Sequence, residues 1–225
     1  KNIFFKYKDS SDYVLKAINF RIRKSEKIGI IGETGTGKST LVDVLVGLLK
    51  PSKGEILVDE CIISISKNIN AWRSMIAYIP QNIYLSDTTI IENVACGLRK
   101  EEIDNKKVIE SCKKAQIHEF IKNLPLGYET IIGEMGINLS GGQRQRLGIA
   151  RALFNIYDKN KKILILDEAT SALDYKVEDL IIQEIYKMNE NLTLIMISHR
   201  YNTLINCDRI IEIKNGSIIS EKKPK

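Results

Sequence analysis

The chain has 225 residues and a net charge of +6, with 44% of its residues hydrophobic and 28% charged. This balance suits one large globular domain or two closely joined subdomains and argues against a disordered chain. No apolar run approaches the roughly 18 residues of a membrane span, and the first residues lack the apolar segment of a signal peptide. The lysines are dispersed, so we interpret the basic clusters at 159–162 and 221–225 as a solvated loop and tail rather than a nucleic-acid surface.

The four cysteines are scattered, without the short paired spacing of a zinc site or a dense secreted framework. We therefore expect buried, reduced thiols and assign them no role. They are Cys61, Cys96, Cys112 and Cys207.

The first sixty residues predict strands of a mixed or antiparallel sheet that flanks the main core. The runs "NIFFKY", "AINFRIR" and "GEILVD" are rich in β-branched and aromatic residues. Tyr7 in the first run is a candidate to stack on a nucleotide base, since aromatic faces bind bases without strict sequence readout. A core or surface tyrosine is nearly as common, and Tyr13 is a competing candidate.

Residues 32–39 fit the pattern G-x-x-x-x-G-K-S/T between a predicted strand, "KIGII", and a predicted helix, "STLVDVLVGLL". Glycines allow successive backbone N–H groups to turn inward around phosphate oxygens, and the helix N-terminus adds its dipole. The alternative is a glycine turn with an incidental lysine. The candidate nucleotide-binding residues are Gly32, Glu33, Thr34, Gly35, Thr36, Gly37, Lys38, Ser39 and Thr40, with Lys38 on the β and γ phosphates and Ser39 on Mg²⁺.

Three further apolar runs are each followed at once by polar residues: "MIAYI", "KILIL" and "LTLIMI". Continuous apolar strands separated by helical stretches predict a parallel sheet covered on both faces. Ligands bind beyond the carboxyl ends of such strands, so we expect the polar clusters to meet there.

These clusters contain the candidate catalytic and metal-binding side chains. Asp167 ends a hydrophobic strand, where a carboxylate is costly unless it serves an ion, and so it predicts a Mg²⁺ site. Glu168 is then available to orient or deprotonate the attacking water, although a solvated carboxylate is the alternative. Gln81 is either an ordinary loop residue or a ligand of Mg²⁺ or water, and His199 is either a structural hydrogen bonder or functional. The candidate metal ligands are Ser39, Gln81 and Asp167.

The pattern between residues 83 and 157 is helical, with stretches such as "EEIDNKKVIESCKKA". We predict an α/β fold: a P-loop NTPase core at 1–82 and 158–225 with a mixed or parallel sheet, an N-terminal antiparallel β region, and an α-helical subdomain inserted at 83–157. His118 lies in the helical part, and we predict a structural role for it.

Residues 139–146, "LSGGQRQR", begin a predicted helix with a capping box formed by Ser140 and Gln143. Gly141 and Gly142 each cost about 1 kcal/mol relative to alanine in a helix. Bare N–H groups at a helix N-terminus attract anions, so we interpret this turn as a second phosphate-binding element. Because the first loop already holds one nucleotide, we predict that this element serves a nucleotide held by another copy, in a two-fold pair that buries two ATP molecules.

The ordered set "GETGTGKST", Gln81, "LSGGQ", "ILILDEA", "SALD" and His199 resembles the nucleotide-binding domain of ABC transporters over essentially the whole chain. The resemblance implies an ATP-driven, head-to-tail dimer that closes on ATP and opens after hydrolysis. It assigns Asp167 to Mg²⁺, Glu168 to catalysis, residues 171–174 to the dimer contact and His199 to switching. The implied catalytic residues are Lys38, Gln81, Glu168 and His199, and the implied cofactors are ATP and Mg²⁺.

Segments around the Gln81 and "LSGGQ" motifs resemble the exporter branch. The resemblance implies that residues 133–136 lie near the coupling helices of a membrane domain, although Met135 stands where many exporters carry a charged residue. It also implies a location at the cytoplasmic face of the cell (inner) membrane. It leaves the cargo open among lipids, lipid-linked oligosaccharides and peptides.

The chain begins with Lys1 already close to a predicted strand, and we expect a membrane-spanning part to precede it in a longer polypeptide. The expected partners are a second nucleotide-binding domain, in a homodimer, and this fused membrane domain, with no nucleic acid. Two other functions stay open: a soluble ABC-type ATPase of DNA repair, chromosome organisation or translation, and a nucleotide-dependent module that signals by dimerising.

Overall fold

The computed structural model describes residues 1–64, 67–133, 136, 138–159, 161–188 and 191–224. The chain divides into two compact units, Lys1–Ile76 with Asn191–Lys225, and Ala77–Glu190. The second unit takes in the whole predicted helical segment together with strand residues on both sides, and the subdomain boundaries at 83 and 157 stay a prediction. Glu134 and Met135, in the predicted coupling stretch, lie outside the described residues.

Strands and helices alternate along most of the chain. The strands are β1 (Ile3–Phe5), β2 (Leu15–Ile18), β3 (Lys27–Ile31), β4 (Leu57–Val58), β5 (Cys61–Ile62), β6 (Ile76–Ile79), β7 (Ile163–Asp167), β8 (Thr193–Ile197), β9 (Arg209–Lys214) and β10 (Ser217–Lys222). The α-helices are α1 (Lys38–Leu45), α2 (Ile69–Ser74), α3 (Ile90–Val94), α4 (Asn105–Lys114), α5 (His118–Lys122), α6 (Gly141–Lys159), α7 (Tyr175–Met188) and α8 (Tyr201–Leu204).

The sheet of the first unit is mixed. Strand β3 lies between β8 and β9 and is parallel to both, while β10 pairs with β9 in the antiparallel direction. The central strand is buried, with Ile28 and Ile30 inaccessible to solvent. Gly29 lies between them because a Cβ there would stand 3.1 Å from the Leu204 side chain of α8. The glycine thus allows α8 to approach the strand closely.

The N-terminal β region is antiparallel, as predicted. Strands β1 and β2 pair with Ile3 opposite Ile18, and β4 pairs with β5. The expectation of a strand over all of "AINFRIR" is wrong, because the pairing ends at Ile18. The chain then turns into β3, and the Glu26 carboxylate accepts a hydrogen bond of 2.6 Å from the backbone N–H of Arg23. The α/β class with its mixed sheet and antiparallel N-terminal pairs is confirmed.

The second unit contains neighbouring strands β6 and β7 and the helices that connect them. The long helix α6 packs against α3 and α4. Gly148 permits a close approach in this unit, since a Cβ there would stand 2.3 Å from Cδ1 of Ile83. The half-buried Arg151 donates to the carbonyl oxygens of Asn93, at 2.8 Å, and Tyr84, at 2.9 Å. These contacts fix the segment after β6 to α6.

His118 has a structural partner, as expected for a histidine without a role in a site. Its Nδ1 lies 2.9 Å from the hydroxyl of Tyr128. The same hydroxyl interacts with the thiol of Cys112, which is buried on α4. Desolvation by burial is the main cause that raises the pKa of Cys112 to about 12.

The expectation that all four cysteines are buried is wrong. Cys61 and Cys96 are exposed, while Cys112 and Cys207 are buried. Cys61 lies on the two-residue strand β5, both of whose residues are exposed.

The thiols should differ in reactivity. Because a thiol with a pKa of about 12 has almost no thiolate near neutral pH, we expect iodoacetamide at pH 8 to label Cys61 and Cys96 in the folded protein and to leave Cys112 unlabelled. Mass spectrometry of peptides from native and urea-unfolded samples measures this. Equal labelling rates at Cys112 in both samples would contradict the buried position.

Candidate nucleotide site

The phosphate loop (residues 32–39) connects β3 to α1. Gly35 and Gly37 have φ angles of 80° and 99°, in the left-handed region where glycine carries no steric penalty. Gly37 is the N-cap residue of α1 and makes no side-chain cap. The uncapped first turn therefore presents backbone N–H groups and the positive end of the helix dipole. This arrangement can bind an anion.

Lys38 is folded into the phosphate loop. Its Nζ donates to the carbonyl oxygens of Gly32, at 2.9 Å, and Glu33, at 2.8 Å. The residue is only 4% exposed. The Thr36 hydroxyl also donates to the Glu33 oxygen, at 2.9 Å. A positive charge is thus held against the curved backbone, where it complements a phosphate group.

Tyr7 lies beside this loop, and the structure separates it from its competitor. The Tyr7 hydroxyl is 3.3 Å from Oγ1 of Thr40 on α1, and the residue is 47% exposed. Tyr13 instead contacts Phe4 edge to face, with the Lys6 ammonium over its ring. The Tyr7 hydroxyl is therefore within hydrogen-bonding distance of α1, whereas the ring contacts of Tyr13 are with Phe4 and Lys6.

His199 lies at the same edge of the first unit's sheet as the phosphate loop. Strands β3 and β8 are parallel, with Ile30 paired to Ile197. His199 follows two residues after that pair and is exposed. The predicted convergence of these two polar clusters is confirmed within the first unit.

Two other polar clusters meet in the second unit. Asp167 is the last residue of β7 and only 2% exposed. Glu168 follows it, and the Nε2 of Gln81, just after β6, donates to its Oε2 at 2.9 Å. From the sequence, Gln81 was predicted to be a ligand of Mg²⁺ or water or an ordinary loop residue, and this direct bond was not predicted. Glu168 also has a left-handed backbone, with φ 49°.

The signature turn (residues 140–143) contains the predicted capping box. The Ser140 N–H donates to Oε1 of Gln143 at 2.8 Å, and the Gln143 N–H donates to Oγ of Ser140 at 3.2 Å. Gly142 also has a packing reason that the sequence did not reveal. A Cβ on Gly142 would stand 3.3 Å from the carbonyl oxygen of Ala172, and one on Gly141 would stand 3.7 Å from the Ala172 Cβ. Gly142 thus lets the segment after β7 lie against the first turn of α6, whereas the distance at Gly141 is an ordinary van der Waals contact.

Gln145, one turn further along α6, is a residue that the sequence analysis missed. Its Nε2 donates to the Ser171 hydroxyl at 3.0 Å, and its Oε1 accepts from the Ala172 N–H at 2.9 Å. A buried amide with both ends bonded is well satisfied. Gln145 thus joins α6 to the segment after β7 that contains Ser171 and Ala172.

Among the described residues, no group of three or more His, Cys, Asp and Glu side chains could hold a metal ion. The predicted Mg²⁺ ligands are of another kind, a serine hydroxyl, an amide and one carboxylate, and oxygen donors of this type suit Mg²⁺. The helices of the described ranges include none long and apolar enough to cross a membrane.

Comparison with known proteins gives the family. The "ABC transporter" family model matches residues 15–171. The leukotoxin translocation ATP-binding protein LktB of Mannheimia glucosida is 44% identical over 99% of this chain and 30% of its own length. The alpha-hemolysin translocation ATP-binding protein HlyB of Proteus vulgaris is 43% identical over 100% of this chain and 31% of its own length. This chain belongs to the ABC transporter family.

A solved structure supports the exporter branch. A bacterial Atm1-family ABC exporter with ATP bound superposes with a TM-score of 0.90 and 34% identity, covering 99% of this chain and 37% of that chain. The chain spans less than a third of the length of the two curated relatives above. The exporter resemblance is confirmed, and the alternative of a DNA-repair or translation ATPase is not favoured.

Proposed function

We propose that this chain is the ATPase domain of an ABC exporter, which binds ATP with Mg²⁺ and hydrolyses it to drive substrate export. The observation that carries the proposal is the phosphate loop, where Lys38 is buried against the Gly32 and Glu33 carbonyls beside the uncapped N-terminus of α1. The names of the relatives, which include "ATP-binding protein", support the same reading.

The proposed chemistry divides among a few side chains. Lys38 neutralises charge on the β and γ phosphates, and the first-turn N–H groups of α1 orient the phosphate oxygens. Glu168 accepts a proton from the attacking water, and Gln81 orients the Glu168 carboxylate through the bond described above. His199 contacts the γ-phosphate. Gly32, Thr34, Gly35, Thr36, Gly37 and Thr40 complete the proposed phosphate site.

Mg²⁺ is proposed as the metal cofactor, with Ser39 and Asp167 as its ligands and Gln81 as a further one. When bound, the ion polarises the phosphate oxygens and neutralises developing charge. The position of Asp167 supports this assignment, because it is the last residue of β7, at the carboxyl end of a strand where such sheets bind ligands, and carboxylate oxygens suit Mg²⁺.

The proposed partners are a second copy of this chain and a membrane domain in the same longer polypeptide. The signature turn supports the first, as its Ser140, Gly141, Gly142 and Gln143 form a helix N-terminus suited to a phosphate held by another copy. The part of each relative that this chain leaves unmatched supports the second. We further propose that the domain lies at the cytoplasmic face of the inner membrane. For the cargo we favour a secreted toxin, because the names of the relatives describe leukotoxin and alpha-hemolysin translocation.

Phosphate release from ATP tests the proposal. The chain should hydrolyse ATP with Mg²⁺ and lose that activity when EDTA is added, and excess Mg²⁺ should restore it. Absence of ATP binding, measured by calorimetry on folded protein, would overturn the proposal. Binding without turnover would remove the enzymatic part and favour a signalling module.

Tyr7 should contribute to binding of the base. We expect Tyr7→Ala to weaken ATP binding by about tenfold, in keeping with ~1–3 kcal/mol for stacking of a base on an aromatic ring. Tyr7→Phe should bind nearly as well as the wild type, because the ring is kept. Tyr13→Ala is the matched control and should leave the Kd unchanged. Fluorescent ATP-analogue titration measures all three, and a larger loss in the Tyr13 variant would reverse the assignment.

A further inference from the structure

Gln145 forms a buried bridge inside the second unit. It lies in the second turn of α6, is 7% exposed, and bonds to Ser171 through its donor end and to Ala172 through its acceptor end. Both bonds reach the short segment between β7 and α7. One amide therefore fixes this segment, in position and orientation, to the helix that begins at the signature turn.

The segment is also braced from within. The Ser171 N–H donates to the carbonyl oxygen of Glu168 at 3.1 Å, and the Leu173 N–H donates to that of Thr170 at 3.0 Å. The Thr170 hydroxyl donates to Oε1 of the buried Glu178 at 2.6 Å. Ser171 thus bonds to Gln145 through its side chain and to Glu168 through its backbone. The path of hydrogen bonds from Gln145 on α6 to Glu168 therefore contains a single intervening residue.

The two elements joined in this way have separate proposed tasks. Glu168 serves the nucleotide held by its own chain, while the signature turn serves the nucleotide of the second copy. We infer that Gln145 is a positioning residue, which keeps the Glu168 carboxylate and the start of α6 in register so that closure on one nucleotide sets the geometry at the other. This inference rests on the proposed function.

The test compares Gln145→Ala with the wild type. We expect kcat to fall by about tenfold to a hundredfold, because small displacements of catalytic groups have effects of this size. The Kd for ATP should stay within about twofold, since the phosphate loop and Tyr7 keep their own contacts. Gln145→Glu should restore part of kcat, as its carboxylate still accepts from the Ala172 N–H.

Two controls separate positioning from stability. Gln183→Ala removes another glutamine that bonds to a side chain, Asp179, but on the exposed face of α7. Val108→Ala lowers the Tm by opening a cavity in the buried face of α4. Both should keep the wild-type kcat at temperatures well below their Tm. The two variants are compared at the same number of degrees below their own Tm. If Val108→Ala then loses as much kcat as Gln145→Ala, the role of Gln145 is only structural and the inference is overturned.

A double-mutant cycle with Ser171→Ala completes the test. The loss of kcat in the double variant should be clearly smaller than the product of the two single losses, because both changes break the same link. Independent, multiplicative losses would overturn the inference. A wild-type chain without ATPase activity would instead mark the failure of the proposed function, so the two failures are distinguishable.

Discussion

Glu168→Gln is expected to leave ATP binding intact, to suppress turnover by about a hundredfold or more, and to trap an ATP-bound dimer. General-base catalysis contributes about 10²–10⁴-fold, and an amide cannot accept the proton that the attacking water must lose. The substitution keeps the local geometry, because the new side-chain oxygen can still accept the bond from Nε2 of Gln81. The defect should therefore be confined to the chemical step.

Three measurements check this expectation. Phosphate release gives turnover, calorimetry gives the Kd, and sedimentation velocity with ATP gives the assembly state. Glu184→Gln is the control: it neutralises a carboxylate on α7, outside the proposed site, and should match the wild type. Wild-type turnover in Glu168→Gln, or an unchanged sedimentation coefficient when ATP is added, would count heavily against the proposed scheme.

Mixing two variants that each fail to retain ATP should rebuild one nucleotide site that retains it. Lys38→Met removes the phosphate-loop charge, and Gly141→Asp places a negative charge where the second copy's phosphate is proposed to lie. The aspartate is compatible with the fold, because a Cβ at Gly141 meets its nearest neighbour at 3.7 Å and an acidic residue in a first turn is favourable for the helix. Each variant alone should retain no ATP in a closed dimer.

In a head-to-tail mixed pair, the phosphate loop of the Gly141→Asp chain faces the intact signature turn of the Lys38→Met chain. Both chains carry Glu168→Gln so that bound ATP is kept, and the ATP retained after rapid gel filtration is counted. We expect one ATP per mixed dimer and none in either unmixed sample. If each site belonged to a single chain, mixing would recover nothing.

Much of the fold could be predicted because the signals are local. An apolar β-branched run followed by a glycine-rich loop defined β3 and the phosphate loop, and Ser140 with Gln143 fixed the start of α6 through a capping box that the structure contains. Glycines with positive φ at 35 and 37 follow from the same motif. Such features need only neighbouring residues for their physical explanation.

Contacts between distant segments could not be predicted in the same way. The bond from Gln81 to Glu168 joins residues 87 positions apart, and no sequence pattern specifies which way an amide points. The hydrogen bonds of Gln145 have a weak signal in the sequence. Gln145 falls on the helix face that buries Ile149, Ala152 and Ile156, and a polar residue in such an apolar stripe signals a buried hydrogen bond. The two exposed cysteines likewise depend on tertiary cover.

The backbone of Glu168 has an energetic consequence. A left-handed backbone conformation costs about 1–2 kcal/mol at a residue other than glycine, and Glu168 adopts this conformation with φ 49°. The bonds of the Glu168 carbonyl to Ser171 and of its carboxylate to Gln81 hold the residue there. The strained backbone at Glu168 thus lowers the folding stability of the domain at the residue proposed to activate water. In return, it fixes the direction in which the Glu168 carboxylate leaves the turn.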